Sequence, residues 1–129
     1  MEFDTGKFWS QLSTDSSLSS WTKTTEIELT VTGRKSGKPL PRPVWFAVRD
    51  RELFLLPVKG TDTQWYKNIL RNPRITLSSD RQSLSGKLRT ITQKKQVTEV
   101  IALFEKKYGR RDIKKYYPKP NVAASLSLE

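Results

Sequence analysis

Apolar and polar residues alternate along several short stretches of this chain, and this alternation constrains the fold more than any other feature. A period of two places successive side chains on opposite faces of an extended strand, so each stretch predicts a strand with one buried face. Glu28, Thr30 and Thr76 should point away from a barrel core that the apolar residues share. Together with one nearly continuous apolar run, the alternation predicts strands within residues 26–32, 44–48, 53–58, 75–77, 83–91 and 122–128.

Tight turns and prolines indicate how these strands are connected. Asp50 and Arg51 predict a hairpin turn, and strands joined by hairpins pair in the antiparallel sense. Pro41 and Pro43 lie at the start of their strand, where a missing backbone donor is tolerated at a sheet edge. Gly86 indicates a bulge or a bend of the kind that barrel closure often needs. Six twisted strands of this length can close or half-close into a barrel.

Helices are predicted where the apolar spacing lengthens to three or four residues. The first begins after Asp62, which can cap it, and ends at Asn72-Pro73. Its apolar face comprises Trp65, Tyr66, Ile69 and Leu70. The second begins after Thr92, which can also act as a cap, and ends at Gly109. Its apolar stripe comprises Val97, Val100, Ile101, Phe104 and Tyr108.

The first 20 residues predict a small separate element. Phe8, Trp9 and Leu12 share one face of a short helix over residues 4–12, and a serine-rich loop follows. Residues 21–129 are expected to form one domain, since single domains commonly hold about 100–150 residues. The predicted fold class is therefore mainly β (α+β), with two or three short helices beside an antiparallel six-stranded barrel.

The sequence contains no cysteine and no histidine, and their absence excludes several chemistries. Without cysteine the chain cannot form a disulfide, a thiolate zinc site or a cysteine nucleophile. Without histidine, serine–histidine hydrolysis and ordinary zinc or non-haem iron sites cannot be built, so no metal site is expected. If the chain is an enzyme, a cofactor is expected to carry the difficult chemistry.

The net charge of +11 indicates either simple solubility or a polyanionic partner. Charge alone does not choose among nucleic acid, an anionic membrane and a phosphorylated ligand. No apolar run approaches the roughly 20 residues of a membrane-spanning helix, and the N-terminal residues do not resemble a signal peptide. We therefore expect a cytoplasmic protein without a transmembrane segment.

The loop after the first strand is the first of two candidate anion sites. Gly33 and Gly37 allow a tight turn whose exposed amides can form an anion-binding nest. Arg34 and Lys35 add cationic donors, and an arginine can grip a phosphate in two places. The alternative interpretation is an exposed basic hairpin turn without a ligand.

The segment before the first predicted helix is the second candidate anion site. Lys59 and Gly60 follow an apolar strand and directly precede the helix that carries Trp65. The amides at that helix N-terminus attract an anion, and Lys59 would reinforce them. Trp65 forms either part of the core or a wall of the cofactor site.

The two segments occur in a specific combination. The sequence reads Gly-Arg-Lys-Ser-Gly after the first strand, Lys-Gly after the third, and Trp-Tyr-x-Asn-x-x-x-Asn-Pro on the helix. In combination these motifs resemble the deazaflavin-dependent nitroreductase and quinone reductase family, within the flavin reductases of split β-barrel fold. The resemblance covers roughly residues 26–80 and extends more loosely to the later strands. It implies an antiparallel six-stranded split barrel of the FMN-binding type.

The resemblance also implies coenzyme F420 as the cofactor, a deazaflavin that carries a phosphate and an oligoglutamate tail. The family often has a small polar residue in place of Val58 and a longer loop than residues 60–64, so FMN stays open as the alternative cofactor. In the family, residues that match Arg34, Lys35, Ser36 and Lys59 lie in the cofactor site. The cofactor-binding residues predicted here are Arg34, Lys35, Ser36, Gly37, Val58, Lys59, Gly60 and Trp65.

By the same resemblance, the chain is expected to pass a hydride from the reduced cofactor to a quinone, a nitro compound or an activated alkene. A tyrosine near the C-terminus supports substrate reduction in some relatives, which makes Tyr116 and Tyr117 the catalytic candidates. A phenol with a pKa near about 10 can donate a proton, although ordinary packing is the alternative role. Split barrels of this kind often form homodimers.

Two other functions stay open from the residues alone. One is a cofactor carrier without turnover, which the sequence does not separate from an enzyme. The other is a basic nucleic-acid-binding barrel. Its patch would consist of Arg110, Arg111, Lys114 and Lys115 beside Tyr116 and Tyr117. No nucleic-acid motif is present, so only weak, salt-dependent binding without sequence specificity is expected.

Overall fold

The computed structural model describes residues 24–79 and 82–128 and places them in two antiparallel four-stranded sheets with three helices. The predicted helix at residues 4–12, the serine-rich loop after it and the predicted domain boundary lie outside the described residues. The strands are β1 (Ile27–Thr32), β2 (Pro39–Val44), β3 (Ala47–Arg49), β4 (Glu52–Leu55), β5 (Arg74–Ser79), β6 (Gln82–Lys87), β7 (Arg89–Ile91) and β8 (Ala123–Ser127). The helices are α1 (Gln64–Arg71), α2 (Lys94–Tyr108) and α3 (Arg110–Tyr116), and a 3₁₀ turn (Gly60–Asp62) comes before α1.

The chain passes between the two sheets at two corners. The first sheet has the strand order β2-β1-β5-β6, and the second has the order β3-β4-β8-β7. β2 continues into β3 through Trp45 and Phe46, and β6 continues into β7 through Leu88, so edge strands of the first sheet lead into edge strands of the second. The predicted strands at residues 44–48 and 83–91 are each divided by a corner. The described chain therefore has eight shorter strands where six were predicted.

The corner between β6 and β7 lies at Leu88, and the prediction of a bulge or bend at Gly86 is wrong. Gly86 pairs with Ile75 inside an unbroken antiparallel register. The Leu88 amide leaves the ladder and donates to the Pro73 carbonyl at 2.9 Å. A Cβ on Gly86 would lie 2.7 Å from Leu126 Cδ1. The glycine therefore permits a close approach between side chain and backbone and does not change the strand direction.

Alternating apolar residues from both sheets form a shared core, as predicted. Burying a valine, leucine, isoleucine or phenylalanine side chain stabilises a fold by about 1.5–3 kcal/mol, so this core is a major source of stability. Glu28 is exposed, and Thr30 and Thr76 are partly exposed on the opposite faces of β1 and β5, which confirms their predicted direction. The predicted members of the core are the buried Ile27, Leu29, Val31, Phe46, Ile75, Leu77, Val122, Ala124, Leu126 and Leu128, with Val44 and Val48 packed against them.

A second core lies between the second sheet and α2. Phe54 and Leu56 pack there with the predicted α2 stripe, of which Val97, Val100 and Phe104 are buried. Because this cluster covers one face of the second sheet and the shared core covers the other, β4 and β8 are buried on both faces. Two-sided burial explains why residues 53–56 form a continuous apolar run in place of an alternating one.

The predicted caps at the starts of α1 and α2 are wrong by one residue each. Thr63 precedes α1, because Asp62 is the last residue of the 3₁₀ turn. Gln93 precedes α2 in place of Thr92. Neither Thr63 nor Gln93 makes a side-chain capping hydrogen bond. Both helices therefore depend on tertiary packing for their starting positions, since most helical stability in proteins comes from such packing.

The predicted helix ends are confirmed, but the apolar face of α1 differs in one residue. Asn72 follows α1, and Gly109 follows α2 with a φ of 99°. Leu70 is 61% exposed, and Asn68 is buried in the face where Leu70 was expected. Asn68 is directed inward because its Oδ1 atom accepts the Arg34 amide at 3.0 Å. A long-range hydrogen bond thus overrides the hydrophobic pattern of a short helix.

The hairpin turn and the edge prolines are where the sequence predicts them. Asp50 and Arg51 have φ values of 51° and 62°, and two successive positive φ angles are the signature of a type I′ hairpin turn. Pro41 and Pro43 lie in β2, which is an edge strand of the first sheet. Proline cannot donate to a ladder, so its confinement to this edge follows from its missing N–H.

The corner between β2 and β3 depends on the C-terminal end of α2. Phe46 is 0% exposed and lies between the two strands, outside both ladders. Its amide donates to Tyr108 Oη at 3.0 Å, and its carbonyl accepts Lys107 Nζ at 2.9 Å. The Tyr108 hydroxyl also donates to the Thr25 carbonyl at 2.8 Å. Two neighbouring side chains therefore replace the ladder hydrogen bonds that the corner lacks.

We expect Tyr108→Phe to lower the free energy of unfolding by about 1–3 kcal/mol, because the buried Phe46 amide loses its acceptor. Tyr116→Phe is the matched control, since the Tyr116 hydroxyl has no hydrogen-bond partner within residues 24–79 and 82–128. This control should change stability by less than about 0.5 kcal/mol. Urea unfolding followed by circular dichroism measures both variants. Equal effects from the two substitutions would contradict the role given to Tyr108.

The Tyr108 hydroxyl also predicts a pH dependence of stability. Burial raises the pKa of Tyr108 to about 12, whereas a tyrosine in an unfolded chain ionises near about 10. Between these values the folded state keeps a proton that the unfolded state loses. The stabilisation is therefore complete below about pH 10 and disappears as the pH rises through about 12. Unfolding midpoints of the parent and of Tyr108→Phe should converge over this window, and a constant gap would count against the assignment.

Candidate functional site

A cleft of about 600 Å³ opens beside the corner between β2 and β3. Its size lies within the range of about 300–1,000 Å³ that is usual for small-molecule sites. The lining comes from the corner, from the segment between β4 and α1, and from the end of α3. Gly60 and the loop from Arg34 to Gly37 are not part of the lining. The predicted site residues that the cleft does bring together are Val58, Lys59, Trp65, Tyr116 and Tyr117.

The N-terminus of α1 opens into this cleft without a side-chain cap. Thr63 precedes the helix, but its Oγ1 atom accepts the Lys59 amide at 2.7 Å and makes no capping bond. The amides of Gln64, Trp65 and Tyr66 have no acceptor in the part of the chain that the structure describes. Free amides at a helix N-terminus attract an anion, and Lys59 lines the same cleft. This end of the cleft can therefore hold a phosphate or a carboxylate.

Gly60 fixes the segment that carries Lys59, although it does not line the cleft. The residue is buried, and its φ of 58° is a left-handed backbone conformation that favours glycine. A Cβ at this position would collide with Asn121 Oδ1, the atom that accepts the Thr61 amide at 3.2 Å. The segment between β4 and α1 is therefore held against the residues that precede β8.

An aromatic wall forms the other side of the cleft, and its central residue was not predicted from the sequence. Trp45 stacks on Tyr108 with ring centroids 4.2 Å apart and an interplanar angle of 10°. Its ring also meets Tyr116 at 5.6 Å and Tyr117 at 6.2 Å. The available signal was a tryptophan between Val44 and Phe46, at a position where the alternation predicts a side chain directed away from the core. We call Trp45, Tyr116 and Tyr117 the aromatic wall.

The two candidate catalytic tyrosines differ in their surroundings. Tyr116 is 47% exposed at the edge of the cleft, whereas Tyr117 is 5% exposed. Burial, reinforced by the nearby Tyr108, raises the pKa of Tyr117 above its ordinary value. The Tyr117 hydroxyl has no hydrogen-bond partner among the described residues. It therefore stays protonated at neutral pH, lines the cleft and is free to donate a hydrogen bond.

The loop that carries Arg34 lies outside the cleft and is bound to α1. The Arg34 amide and its Nη1 atom donate to Asn68 Oδ1 at 3.0 and 2.8 Å, and its Nη2 atom donates to Gln64 Oε1 at 2.9 Å. Gln64 also lines the cleft, so it connects the loop to the site. The loop borders an open, strongly basic groove, which is lined by Arg34, Lys35, Lys67, Leu70 and Arg71.

Most amides of the predicted anion nest already have acceptors in this loop. The Gly33 amide donates to the Lys38 carbonyl at 2.8 Å, and the Gly37 amide donates to the Gly33 carbonyl at 2.9 Å. The Lys38 amide donates to Ser36 Oγ at 3.1 Å. The amides of Lys35 and Ser36 have no acceptor in the described residues. The loop can therefore offer two amides to an anion, and its other amides hold its shape.

Charges of both signs line the cleft. Arg42 and Lys59 supply cations, and the carboxylates belong to Glu26, Asp62 and Asp112. These acids do not converge, and no group of three or more acidic side chains within residues 24–79 and 82–128 is placed to hold a metal ion. Within the same ranges, no helix is long and apolar enough to span a membrane.

The described chain therefore combines two antiparallel sheets with a cleft in which an uncapped helix N-terminus lies opposite an aromatic wall. A family model described as F420H(2)-dependent quinone reductase matches residues 8–114. The chain therefore belongs to this family and is an F420H2-dependent reductase. A comparison with curated protein sequences gives no match.

Three solved structures have a similar fold. The F420-H2 dependent reductase FDR-A is 18% identical with a TM-score of 0.62, and the match covers 80% of this chain and 94% of that chain. A domain-swapped dimer is 18% identical with a TM-score of 0.64, and the match covers 92% and 97%. The haem storage protein HutZ from Vibrio cholerae is 12% identical with a TM-score of 0.65, and the match covers 88% and 87%. At these identities the likeness shows the fold alone.

We expect Gly60→Ala to lower the free energy of unfolding by about 2–5 kcal/mol. A left-handed backbone costs an alanine about 1–2 kcal/mol, and the collision with Asn121 adds a cost typical of an overpacked core. Gly37→Ala is the matched control, because its φ is 71° and nothing lies within 4 Å of the added Cβ. Urea unfolding of both variants separates the two costs. If Gly60→Ala were no worse than Gly37→Ala, the segment would not be held as described.

Proposed function

We propose that this reductase transfers a hydride from reduced coenzyme F420 to a quinone, and that a nitro compound or an activated alkene can take the place of the quinone. Membership of the family establishes reduction with F420H2, and the acceptor is the proposed part. One observation carries the proposal: the uncapped N-terminus of α1 and the aromatic wall share one cleft of about 600 Å³. An anion-binding end beside a flat apolar surface suits a cofactor with a phosphate and a planar ring.

The residues of the cleft fit the chemistry of this cofactor. We propose that Lys59 and the free amides of Gln64 and Trp65 bind the phosphate, since such amides favour negative charge. Val58 is 45% exposed in the cleft lining and offers an apolar surface to the ring. Asp62 lines the same region and opposes an anion, so its carboxylate should weaken the phosphate contact.

We propose that the basic groove beside α1 binds the oligoglutamate tail. Arg34 and Lys35 border this groove together with Lys67 and Arg71, and no acidic residue lines it. Gln64 supports this assignment, because it lines the cleft and accepts a hydrogen bond from Arg34. In this arrangement Ser36 and Gly37 shape the loop, and the cations attract the carboxylates of the tail.

The bound cofactor supplies the hydride, and the residues of the chain position and protonate the acceptor. The aromatic wall gives a planar acceptor an apolar surface and excludes water from it. The Tyr117 hydroxyl is proposed to donate a proton to the acceptor oxygen, because it has no partner in the described chain and is part of the lining. A quinone that gains the hydride and one proton leaves as the hydroquinone, and solvent reprotonates the tyrosine.

We also propose that the two sheets form the six-stranded split barrel that the resemblance implies. This count treats β2 with β3 and β6 with β7 as two bent strands, and the direct passage through both corners supports it. A homodimer is proposed because one similar structure is a domain-swapped dimer. The cytoplasmic location stays a prediction.

Haem binding is the function that the likeness to HutZ would suggest, and the composition argues against it. HutZ is a haem storage protein. This chain contains no histidine and no cysteine, which are two of the common axial ligands of haem iron. An anion-binding helix N-terminus also serves a phosphate better than it serves the apolar face of a macrocycle.

Nucleic acid is an alternative partner that the surface of α3 favours only weakly. Arg110, Arg111, Lys114 and Lys115 are all exposed on this helix. Such side chains contact phosphates and give binding that falls steeply with salt and does not read sequence. We therefore place nucleic acid behind the cofactor as a partner.

We expect the protein to bind oxidised or reduced F420 more tightly than FMN at low salt. Both ligands carry a phosphate, but the oligoglutamate tail adds carboxylates that the basic groove attracts. Salt should reduce this preference, because exposed charges are screened over about 8–10 Å near physiological ionic strength. Absorbance and fluorescence titrations with both ligands measure it. Tight FMN binding without F420 binding would refute the cofactor assignment and leave the fold intact.

Charge variants test the two parts of the proposed anion site. Lys59→Ala should weaken F420 binding about tenfold, and Arg34→Ala with Lys35→Ala should weaken it about tenfold as well, because charge-assisted hydrogen bonds are lost. Asp62→Asn should strengthen binding, because it removes an opposing charge. Lys94→Ala removes an exposed cation at the start of α2, outside the cleft lining, and should change nothing. If the double variant binds as the parent does, the loop assignment is wrong.

Two tyrosine variants test the proton donor. Tyr117→Phe should lower kcat about a hundredfold with little change in F420 affinity, because a positioned acid contributes about that much or more. Tyr116→Phe should have a smaller effect, since this side chain is the more exposed of the two. Steady-state kinetics with a quinone acceptor measure both. A larger loss for Tyr116→Phe would assign the proton donation to Tyr116 and overturn its assignment to Tyr117.

A further inference from the structure

Two carboxylates lie beside the aromatic wall and have no role in the proposed binding of the cofactor. Asp112 and Tyr116 are four residues apart on α3, so they lie on the same face of the helix, and both line the cleft. Glu26 also lines the cleft and acts electrostatically on Tyr108, which stacks on Trp45. Neither carboxylate is part of an ion pair in the described part of the chain.

A second, independent feature of the same wall indicates a ligand. The Tyr117 side chain is only 5% exposed and lines the cleft. Its hydroxyl has no hydrogen-bond partner within the described ranges. The hydroxyl is not one of the buried polar atoms that lack a partner, so it faces the open space of the cleft, where a ligand or water can accept a hydrogen bond from it. A ligand oxygen, such as that of a carbonyl or nitro group, would accept a hydrogen bond from the Tyr117 hydroxyl. We call the aromatic wall with Glu26 and Asp112 the acidic aromatic end.

The local charge of this end opposes the charge of the protein. The chain as a whole has a net charge of +11, which attracts anions from every direction. Arg42 and Lys59 also line the cleft, and Lys59 belongs to the segment that leads into α1. At the acidic aromatic end, two unpaired carboxylates repel an anion, and the ring faces favour a cation or a neutral planar group.

We propose that the acidic aromatic end selects the hydride acceptor by charge: Glu26 and Asp112 admit planar aromatic acceptors that are neutral or cationic and disfavour anionic ones. This proposal rests on the proposed function in one respect, namely that the selected ligand is the hydride acceptor. The charge selectivity itself depends only on the residues of the cleft. It adds no chemical step, because the hydride and the proton go to the acceptor as described above. Glu26 and Asp112 act as specificity-determining residues through their charge.

The test measures binding to the full chain without cofactor in the Lys59→Ala background, so that the anion-binding start of α1 does not itself take up the anionic probe. The probes are N-methylquinolinium as the cation, 1,4-naphthoquinone as the neutral ring and naphthalene-2-sulfonate as the anion, each followed by isothermal titration. We expect the cation and the neutral ring to bind at least about tenfold more tightly than the sulfonate at low salt, against the sign of the net charge. Sulfonate binding as tight as that of the cation would overturn the proposal.

Substitutions assign the selectivity to the two carboxylates. Glu26→Gln and Asp112→Asn should each reduce the cation-to-anion preference about tenfold, because one charge about 6 Å away in a water-like dielectric changes the affinity of each probe about threefold and in opposite directions. Asp50→Asn is the matched control, because it makes the same change in net charge at a turn residue whose side chain is 92% exposed. If Asp50→Asn reduces the preference as much as the cleft variants do, the effect is global and the proposal fails.

The outcomes separate this inference from the proposed function. With F420 bound and reduced, kcat/KM should be higher for 1,4-naphthoquinone than for its sulfonated derivative, and Asp112→Asn should narrow the ratio with little change in F420 affinity. Absence of F420 binding together with the expected order of probes would overturn the proposed function and support the charge selection. Normal F420 binding without selectivity among the probes would support the proposed function and overturn the charge selection.

Discussion

The hydrogen bonds around Phe46 are the interaction on which both the fold and the cleft depend. The chain leaves the first sheet at this residue, and Tyr108 and Lys107 bind the peptide groups that the ladders do not take. A buried peptide group left unpaired costs about 1–3 kcal/mol, so the corner is stable only while the end of α2 stays in place. The Tyr108 ring that holds the corner is also the ring on which Trp45 stacks. The same side chain therefore stabilises the corner between the two sheets and positions the aromatic wall of the cleft.

The sequence predicts those parts of the structure that follow from local pattern. Alternation identifies the core faces of β1, β5 and β8, and the positions of Asp50 and Gly109 identify a turn and a helix end, because these features depend on neighbours along the chain. The division of two strands at corners could not be predicted, since it depends on partners such as Tyr108, 62 residues from Phe46. The inward position of Asn68 depends in the same way on Arg34, 34 residues away.

The candidate site was predictable to the extent that motif and local structure coincide. Lys59 and the start of α1 could be identified, because an apolar strand followed by Lys-Gly and a helix places amides at a strand end. Trp45 was missed because its environment comes from α2 and α3, which no local pattern connects to β2. The basic loop was predicted as part of the same site from its glycines, its cations and the motif resemblance, whereas hydrogen bonds to Gln64 and Asn68 hold Arg34 on the far side of α1.

The net charge of the protein favours anionic ligands, whereas the charges that line the acidic aromatic end favour neutral or cationic ones. The difference depends on how far each charge lies from the ligand. In water with salt, a charge beyond about 8–10 Å is largely screened, so the cations of the molecular surface outside the proposed tail-binding groove act mainly on the approach of a ligand. Contacts inside the cleft are set by the few groups that line it, and those include three carboxylates and two cations. A cofactor with an anionic tail can thus be drawn in by the whole surface, while the acceptor is chosen by Glu26 and Asp112. The two ligands of one cleft would then respond to opposite signs of charge because they contact different residues of it.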